Sequence, residues 1–181
     1  MIRSLLLPAL LLGLIACNEN TPSGTSTPEG YFDNPAFFEA EVTKLTSLQP
    51  GIIKTVSAEG KSEQKRIEKC DWKKELDIFS SITLNKSSYA GKYTISKSTT
   101  SGIQTIEYRT DDAKLPIKQL VVSDSAGKIT SVSAHRAEHS ALIDSEIRWR
   151  YVPDSGYTVH GIQKVAGVSP SVYSVSAIFG H

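Results

Sequence analysis

The sequence predicts an α+β domain in which a curved antiparallel sheet of about seven strands packs one face on one or two N-terminal helices. Two segments before Gly91 carry apolar residues at helical spacing, whereas the chain after Gly91 alternates apolar and polar residues as strands do. The turns between these strands are too short for parallel crossovers, so the sheet is predicted to be an antiparallel meander. A helical part is therefore expected to precede a sheet.

The first predicted helix begins at Asn34, whose side chain can cap it, with Pro35 at the first helical position. It ends before Pro50-Gly51, because these residues stop a helix. Its apolar positions repeat at helical spacing and are predicted to be core: Phe38, Val42, Leu45 and Leu48.

The segment between the helices, residues 52–68, is open to two interpretations. Its apolar residues and the turn at Glu59-Gly60-Lys61 fit either a hairpin or a loop with a frayed strand. A second helix is predicted to begin at Asp71, whose side chain can cap it, and to end near Asn85. Its apolar stripe consists of Trp72, Leu76, Phe79 and Ile82.

Seven strands are predicted after Gly91, near residues 92–99, 103–110, 116–123, 128–136, 144–152, 156–165 and 171–179. The turns between them are marked by Ser101-Gly102, Asp111-Asp112, Ala126-Gly127, a polar bend at His139-Ser140, Asp154-Ser155-Gly156 and Ser169-Pro170.

Alternation along these strands predicts one buried face of the sheet. The side chains assigned to it are Ile147, Trp149 and Tyr151 in one strand, Tyr157, Val159 and Val165 in the next, and Tyr173, Val175, Ala177 and Phe179 in the last. Arg148 and Arg150 point to the opposite side. A sheet that is apolar on one side needs a cover, which the two helices can supply.

The first seventeen residues are organised as an export leader. Arg3 gives a positive start, and Leu5 to Ile15 is an apolar run of about 11 residues, whereas a membrane-spanning helix needs about 20. Leu14-Ile15-Ala16-Cys17 closes the run. The chain here resembles a bacterial lipoprotein precursor, because these four residues fit the lipobox pattern. The resemblance implies that the Cys17 thiol receives diacylglycerol, that residues 1–16 are cleaved off as the signal peptide, and that the new amino group is acylated.

This resemblance implies a bacterial cell envelope location, with a membrane as partner through the lipid anchor. Asn18 is compatible with the outer membrane, because an Asp at this position favours inner-membrane retention in well-studied sorting systems. The alternative is an ordinary secretory signal that ends at an incidental cysteine. Residues 17–34 are rich in Thr, Ser, Pro, Gly and Asn and predict a flexible tether of roughly 20 to 25 Å. Residues 35–181 are predicted to form a single domain.

A second resemblance lies within the domain. The stretch Trp72-Lys73-Lys74-Glu75-Leu76, followed by Phe79 and by Asn85-Lys86, resembles a recurrent segment of small, uncharacterised lipoproteins of the Bacteroidota. Those proteins often continue with a proline, where this chain has Ser87-Ser88.

Charge and cysteine content exclude several classes of function. Loss of Arg3 from the 20 basic residues leaves 19, which equals the number of acidic residues. The mature chain has no clustered excess of Lys and Arg, so no nucleic-acid partner is predicted. With Cys17 acylated, Cys70 is the only thiol left and no intrachain disulfide can form. Cys70 precedes a predicted helix, where a thiol pKa can be lowered, but without an identifiable base it is interpreted as structural.

Two constellations are candidates for chemistry. His135 and His139 lie four apart at the end of a predicted strand, which separates them by about 13 Å and favours solvated loop histidines over a metal site. The run Arg148-Trp149-Arg150-Tyr151 can bind phosphate, carboxylate or sugar, or can form an aromatic core edge with a solvated basic edge. His160 and His181 have no ligand-like neighbours in the sequence.

The remaining motifs predict no enzyme. Asp111-Asp112 and Asp154 fall in turns, where Asp bonds the local backbone, and oxygen ligands there are too sparse for calcium. The sequence has no Gly-x-Ser-x-Gly elbow, Ser-x-x-Lys pair, phosphate loop or dinucleotide glycine pattern. No catalytic residue, metal site or cofactor is therefore predicted.

These observations favour a membrane-anchored envelope lipoprotein whose domain binds a partner protein or a ligand without catalysis. One alternative is a lipid or lipoprotein carrier, similar to the outer-membrane lipoprotein receptors, which needs an apolar cavity under the sheet. A second is an enzyme of unrecognised type, which needs a cleft where acidic, His or Cys70 side chains converge. A purely structural role would leave an exposed apolar patch or a strand edge.

Overall fold

A computed structural model describes residues 31–180 of the chain. The predicted signal peptide, Cys17, most of the predicted tether and His181 lie outside these residues. The helices are α1 (Asn34–Leu48), α2 (Trp72–Glu75) and α3 (Asp77–Ser80), with a 3-10 turn at Ser87–Tyr89. The strands are β1 (Ile52–Ala58), β2 (Lys61–Ile67), β3 (Thr94–Thr100), β4 (Ile103–Arg109), β5 (Ile117–Ser125), β6 (Lys128–His139), β7 (Ile143–Val152), β8 (Gly156–Val165) and β9 (Ser171–Phe179).

The nine strands form one open antiparallel sheet in the order β2-β1-β9-β8-β7-β6-β5-β4-β3. All seven strands predicted after Gly91 are present as β3 to β9 and form the predicted meander. The predicted count of about seven is wrong, because residues 52–67 form a hairpin rather than a loop. Strand β1 of this hairpin pairs with β9, from Ile52 opposite Phe179 to Ala58 opposite Tyr173, and so extends the sheet by two strands.

Helix α1 matches its predicted bounds but not its predicted cap. The Asp33 side chain accepts a hydrogen bond from the Ala36 backbone N–H at 3.1 Å and caps the helix. Asn34, predicted as the cap, is fully buried, and its Nδ2 donates to the backbone oxygens of Phe79 at 2.8 Å and Ile82 at 2.9 Å. Asn34 therefore joins α1 to the segment that carries α3.

The second predicted helix is broken in two. Asp71 caps α2 as predicted, and this hydrogen bond from the Lys74 backbone N–H lowers the pKa of the Asp71 carboxyl. The helix ends at Glu75, a one-turn helix α3 follows, and no helix continues from there to Asn85. The predicted stripe is nevertheless fully buried: Trp72, Leu76, Phe79 and Ile82. The break lets these side chains reach separate parts of the core, since the Trp72 ring meets Phe179 whereas Phe79 lies against other rings.

Aromatic rings fill the space between α1 and the sheet. The Phe38 ring centroid lies 5.5 Å from Phe79, 5.9 Å from Trp149 and 5.1 Å from Tyr151. Phe79 in turn contacts Tyr157 at 5.0 Å between centroids. These contacts place α1 and α3 on the face of the sheet that the alternation predicted as buried.

Two predicted core residues are exposed. Leu48 has 66% of its surface exposed, because the last turn of α1 extends beyond the buried position of Leu45. Val165 is exposed as well, because it lies at the far end of β8, away from the helices. Within residues 31–180, no helix combines the length and the apolar character needed to cross a bilayer.

The domain reaches further towards the N-terminus than the predicted boundary at residue 35. The Tyr31 ring packs against Tyr93 at 5.9 Å and Tyr108 at 5.7 Å, and the Phe32 backbone N–H donates to the Tyr108 hydroxyl at 3.1 Å. The last residues of the predicted tether are therefore held on the sheet.

Candidate functional site

The two faces of the sheet differ in what they contact. The helices pack on one face, and no described helix packs on the other, which we call the uncovered face. Cross-strand partners in an antiparallel sheet share a face, so the register places one row of polar side chains across five strands of the uncovered face. From β1 to β6, this row consists of Ser57, Ser174, His160, Arg148 and His135.

An open groove of about 520 Å³ lies on the uncovered face at the end of strands β4 to β7. We call it the basic groove, because five of its nine lining residues are basic and one is acidic. The lining residues are Arg109, Thr110, Asp111, Ala113, Lys118, Gln119, His135, His139 and Arg148. The groove brings together His135, His139 and Arg148, which belong to two separate sequence candidates.

Carboxylates at the edge of the groove hold several of these side chains. Glu146 Oε1 lies 3.0 Å from His135 Nε2 and also pairs with the Arg148 guanidinium. His139 Nδ1 lies 3.1 Å from Asp144 Oδ1. The contact of His139 with Asp144 is a hydrogen bond, whereas His135 Nε2 makes no hydrogen bond within the described residues.

The charge of the groove comes from its arginines and lysine rather than from His135. Partial burial and the neighbouring Arg148 cation lower the pKa of His135 below its ordinary value of 6.5, against the opposing effect of Glu146. These effects disfavour the charged imidazolium form of His135. The Lys118 ammonium donates to the backbone oxygen of Asp112 at 2.9 Å, which holds this cation at the groove.

The two candidate histidines lie far apart along one strand. They lie four residues apart in β6, which separates them by about 13 Å as predicted. His135 lies in the strand as predicted, whereas the bend predicted at His139-Ser140 begins later, because β6 continues through His139 and pairs it with Asp144. In the part of the chain that the structure describes, no group of three or more His, Cys, Asp or Glu side chains is arranged to hold a metal ion.

The arginine and aspartate candidates lie where the alternation and the turns predict. Trp149 and Tyr151 are buried against the helices, whereas Arg148 and Arg150 are exposed on the uncovered face. The Asp112 side chain accepts a hydrogen bond from the Lys114 backbone N–H at 2.9 Å, as expected of a turn Asp.

Two carboxylates on the covered face, of which Glu41 is buried and Glu75 half-buried, were not identified in the sequence. Glu41 accepts a hydrogen bond from the Tyr151 hydroxyl at 2.5 Å and pairs with Lys44 at 2.7 Å. Glu75 accepts from the Tyr157 hydroxyl, and its Oε1 lies 2.8 Å from Lys54 Nζ. Both tyrosines lose solvent and gain a carboxylate partner, which raises the pKa of each hydroxyl.

These contacts form two matching groups, each of one tyrosine, one glutamate and one lysine. Tyr151 and Tyr157 are direct cross-strand partners in β7 and β8, so the two groups lie side by side. They join α1 and α2 to the sheet and are interpreted as structural. A sequence signal existed for Glu41, because it lies three residues after Phe38 and four before Leu45, on the apolar side of α1.

Cys70 lies close to the second of these groups. Burial, with a smaller contribution from the Glu75 carboxylate, raises the pKa of the Cys70 thiol to about 11. The sequence also allowed a lowered thiol pKa, because Cys70 precedes the N-terminus of a predicted helix. That helix is a single turn, and the raised pKa favours the protonated thiol at neutral pH.

Comparisons with known proteins identify no relative. The chain matches no protein-family model and no curated protein, and no solved structure matches its fold. Function is therefore inferred from the residues of the leader and from the uncovered face of the sheet.

Proposed function

We propose that this protein is a lipoprotein of a bacterial cell envelope, anchored through Cys17, whose domain binds an acidic partner protein or ligand on the uncovered face without catalysis. The observation that carries the binding role is the basic groove. Its charged side chains converge on the face of the sheet that the described helices leave open.

The leader supports the anchor. A positive residue, a short apolar run, a small residue and a cysteine follow one another in the order that lipoprotein maturation requires. One acyl chain gives only marginal membrane binding, whereas two or more give a stable anchor. The compatibility of Asn18 with outer-membrane sorting extends the proposal to that membrane.

Charge supports an acidic occupant. Arg109, Lys118 and Arg148 are the cations of the lining; Arg148 pairs with Glu146 at the edge of the groove, and Arg109 lies 4.0 Å from Asp111, the one acidic residue of the lining. The fork of an arginine side chain can bind a carboxylate or a phosphate through two parallel hydrogen bonds. Arg150 lies two residues from Arg148 on the same face and makes no ion pair within residues 31–180.

Neither alternative function gains a specific supporting contact. A carrier needs an apolar cavity between helices and sheet, where Phe38, Phe79 and Trp149 instead contact one another at centroid distances of 4.9 to 5.9 Å. An enzyme that uses Cys70 needs a thiolate, which its raised pKa disfavours.

Metabolic labelling with palmitate tests the anchor. The wild-type protein is expected to incorporate label, Cys17→Ala is expected to lose it, and Cys70→Ala is the matched control that should retain it. Equal labelling of wild type and Cys17→Ala would refute acylation at Cys17.

Binding of a fluorescently labelled hexaglutamate peptide, measured by anisotropy at low salt, tests the uncovered face. Arg148→Gln is expected to weaken binding about fivefold, because it removes one charge contact. Lys97→Gln, which changes an exposed lysine of β3 outside the groove, should leave the dissociation constant unchanged. Absence of binding by the wild type, or equal weakening by both variants, would remove the proposed role of the groove.

A further inference from the structure

Two neighbouring turns at one end of the sheet form an uncharged, apolar surface. Residues 140–143 comprise the β6–β7 turn and the first residue of β7, and residues 165–170 comprise the last residue of β8 and the β8–β9 turn. The Ala166 backbone N–H donates to the Leu142 backbone oxygen at 3.0 Å, so the two turns form one unit, which we call the apolar tip. None of its ten residues is charged.

The apolar tip exposes more hydrophobic surface than solvent-exposed turns ordinarily do. Leu142 is 70% exposed and Val168 is 65% exposed, and Ile143 and Val165 are exposed beside them. Single exposed apolar residues are ordinary on a protein surface, whereas contiguous ones mark an interaction site. Of the twelve large apolar side chains exposed within residues 31–180, four lie in these ten residues.

The chain that leads to Cys17 leaves the domain at the same end of the sheet. Tyr31 packs on Tyr93 and Tyr108, beside the end of β4. Tyr108 belongs to the row that crosses the sheet through Leu120 and Ala134 to Trp149. From this row, β6 runs on to its turn with β7 at the apolar tip.

The reach of the N-terminal segment agrees with the height of the apolar tip. Trp149 lies six residues from Ile143 along β7, which places the tip about 20 Å beyond the row of Tyr108 at roughly 3.3 Å per residue. A flexible chain of 14 residues, the number from Cys17 to Gly30, would span about 20 Å on average. A bilayer that holds acyl chains on Cys17 would therefore lie at the level of the apolar tip.

We infer that the apolar tip inserts into the interfacial layer of the phospholipid bilayer that anchors the chain, with Leu142 and Val168 as its membrane-facing side chains. This inference depends on the proposed lipid anchor for the orientation of the domain. We identify the bilayer as the partner of the apolar tip for two reasons. A lipid anchor on Cys17 would hold the membrane at this end of the sheet, and an uncharged tip enters hydrocarbon without burying charge. Insertion holds the domain upright, with the strands running along the membrane normal and the uncovered face turned sideways.

Tryptophan quenching by brominated phospholipids tests the insertion. Leu142→Trp is compared with Ile103→Trp, which replaces a residue of similar character, 42% exposed, at the start of β4 and therefore at the opposite end of the sheet. The native Trp72 and Trp149 are buried and contribute equally to both variants. Both introduced side chains point to solvent, and circular dichroism verifies that the fold is retained.

Two preparations separate this inference from the lipid anchor. One is the mature protein purified from membranes and reconstituted into phosphatidylethanolamine–phosphatidylglycerol vesicles. The other carries Cys17→Ala and an N-terminal hexahistidine tag that binds nickel-chelating lipid in the same vesicles. If the mature protein fails to float with vesicles, the anchor is refuted, while the tagged protein still tests the tip.

The emission added by Leu142→Trp is expected to shift to shorter wavelength on vesicles and to fall about twofold with bromines about 5 to 10 Å below the headgroups. The emission added by Ile103→Trp is expected to stay unchanged. Equal quenching of the two variants in the tagged preparation would overturn the inference. So would a shift of the Leu142→Trp emission that depends on protein concentration without vesicles, since that result would make a second copy the occupant.

Discussion

Replacement of Tyr151 by Phe tests how the helices are held on the sheet. Tyr151 is fully buried in β7, and its hydroxyl donates to Glu41 of α1 across the helix–sheet interface. The substitution keeps the ring and its contacts with Phe38 and Phe79, so it creates no large cavity. It removes one hydrogen bond to a carboxylate that is almost fully buried.

The expected cost follows from the charge and burial of Glu41. A hydrogen bond to a charged group contributes about 1.5 to 3 kcal/mol to stability. The Lys44 ammonium still pairs with Glu41 in the variant, which keeps the loss towards the middle of this range. We expect the free energy of unfolding to fall by about 2 kcal/mol, which corresponds to a drop in Tm of about 4 to 8 °C for a domain of this size.

Equilibrium unfolding in urea, followed by tryptophan fluorescence, measures this loss. Tyr173→Phe is the matched control, because Tyr173 is a half-buried tyrosine in β9 whose hydroxyl makes no hydrogen bond within the described residues. Its effect is expected to stay within about 0.5 kcal/mol. A double-mutant cycle of Tyr151→Phe with Glu41→Gln is expected to give a coupling energy of about 1 to 2 kcal/mol. Wild-type stability in Tyr151→Phe, or no coupling in the cycle, would refute the assignment of Glu41 as an anchor of α1.

Three further predictions concern the sheet. Gly156→Ala is expected to cost more than about 2 kcal/mol of unfolding free energy in urea, because Gly156 has φ of +146° and a Cβ there would overlap the backbone oxygen of Ala177. Gly161→Ala is expected to cost only about 1 to 2 kcal/mol in the same assay, because its Cβ meets a cross-strand tyrosine ring that can move. In a histidine NMR titration, Arg148→Gln is expected to raise the pKa of His135, since Arg148 lowers it in the wild type.

The lowered pKa of His135 also determines whether this imidazole raises or lowers the free energy of unfolding as the pH falls. Near pH 6 the unfolded chain binds more protons at this position than the folded chain does, so this imidazole lowers the free energy of unfolding as the pH falls below about 6.5. An unchanged pKa of His135 in Arg148→Gln would contradict the proposed contact.

A loss of unfolding free energy in Gly161→Ala equal to that in Gly156→Ala would show that the tyrosine ring cannot move.

The meander was predictable from sequence because each hairpin is specified by residues that lie close together in the chain. Alternation assigned Trp149 and Tyr151 to the buried face and Arg148 to the uncovered face, and turn residues such as Ala126-Gly127 marked the hairpins. In that turn both residues have positive φ, as two-residue hairpin turns prefer. Each of these features depends on residues within one hairpin.

The hairpin was one of the two interpretations of residues 52–68, but its place in the sheet was not predictable, because its pairing with β9 is long-range. Strand β2 alternates no apolar residues and is exposed along nearly its whole length. What places the hairpin in the sheet is the pairing of Ile52 with Phe179, which no local pattern encodes. The break in the second helix has a similar origin, because Trp72 and Phe79 are drawn to different parts of the core.

The candidate site was predictable in its parts but not in its assembly. The sequence identified His135, His139 and Arg148 separately, and the register of β6 against β7 brings them into one groove. It did not identify Lys118 or Arg109, which come from strands further along the sheet. Side chains from separate strands meet only once the strand order is fixed.

The chemical state of Cys17 tests the proposed function most directly. Intact-mass and N-terminal peptide mass spectrometry of the protein purified from its native membrane are expected to show a chain that begins at Cys17. Its sulfur should carry diacylglycerol and its amino group a third acyl chain. A mature chain that keeps residues 1–16, or one that begins at an unmodified Cys17, would contradict both the envelope anchor and the membrane orientation inferred from it.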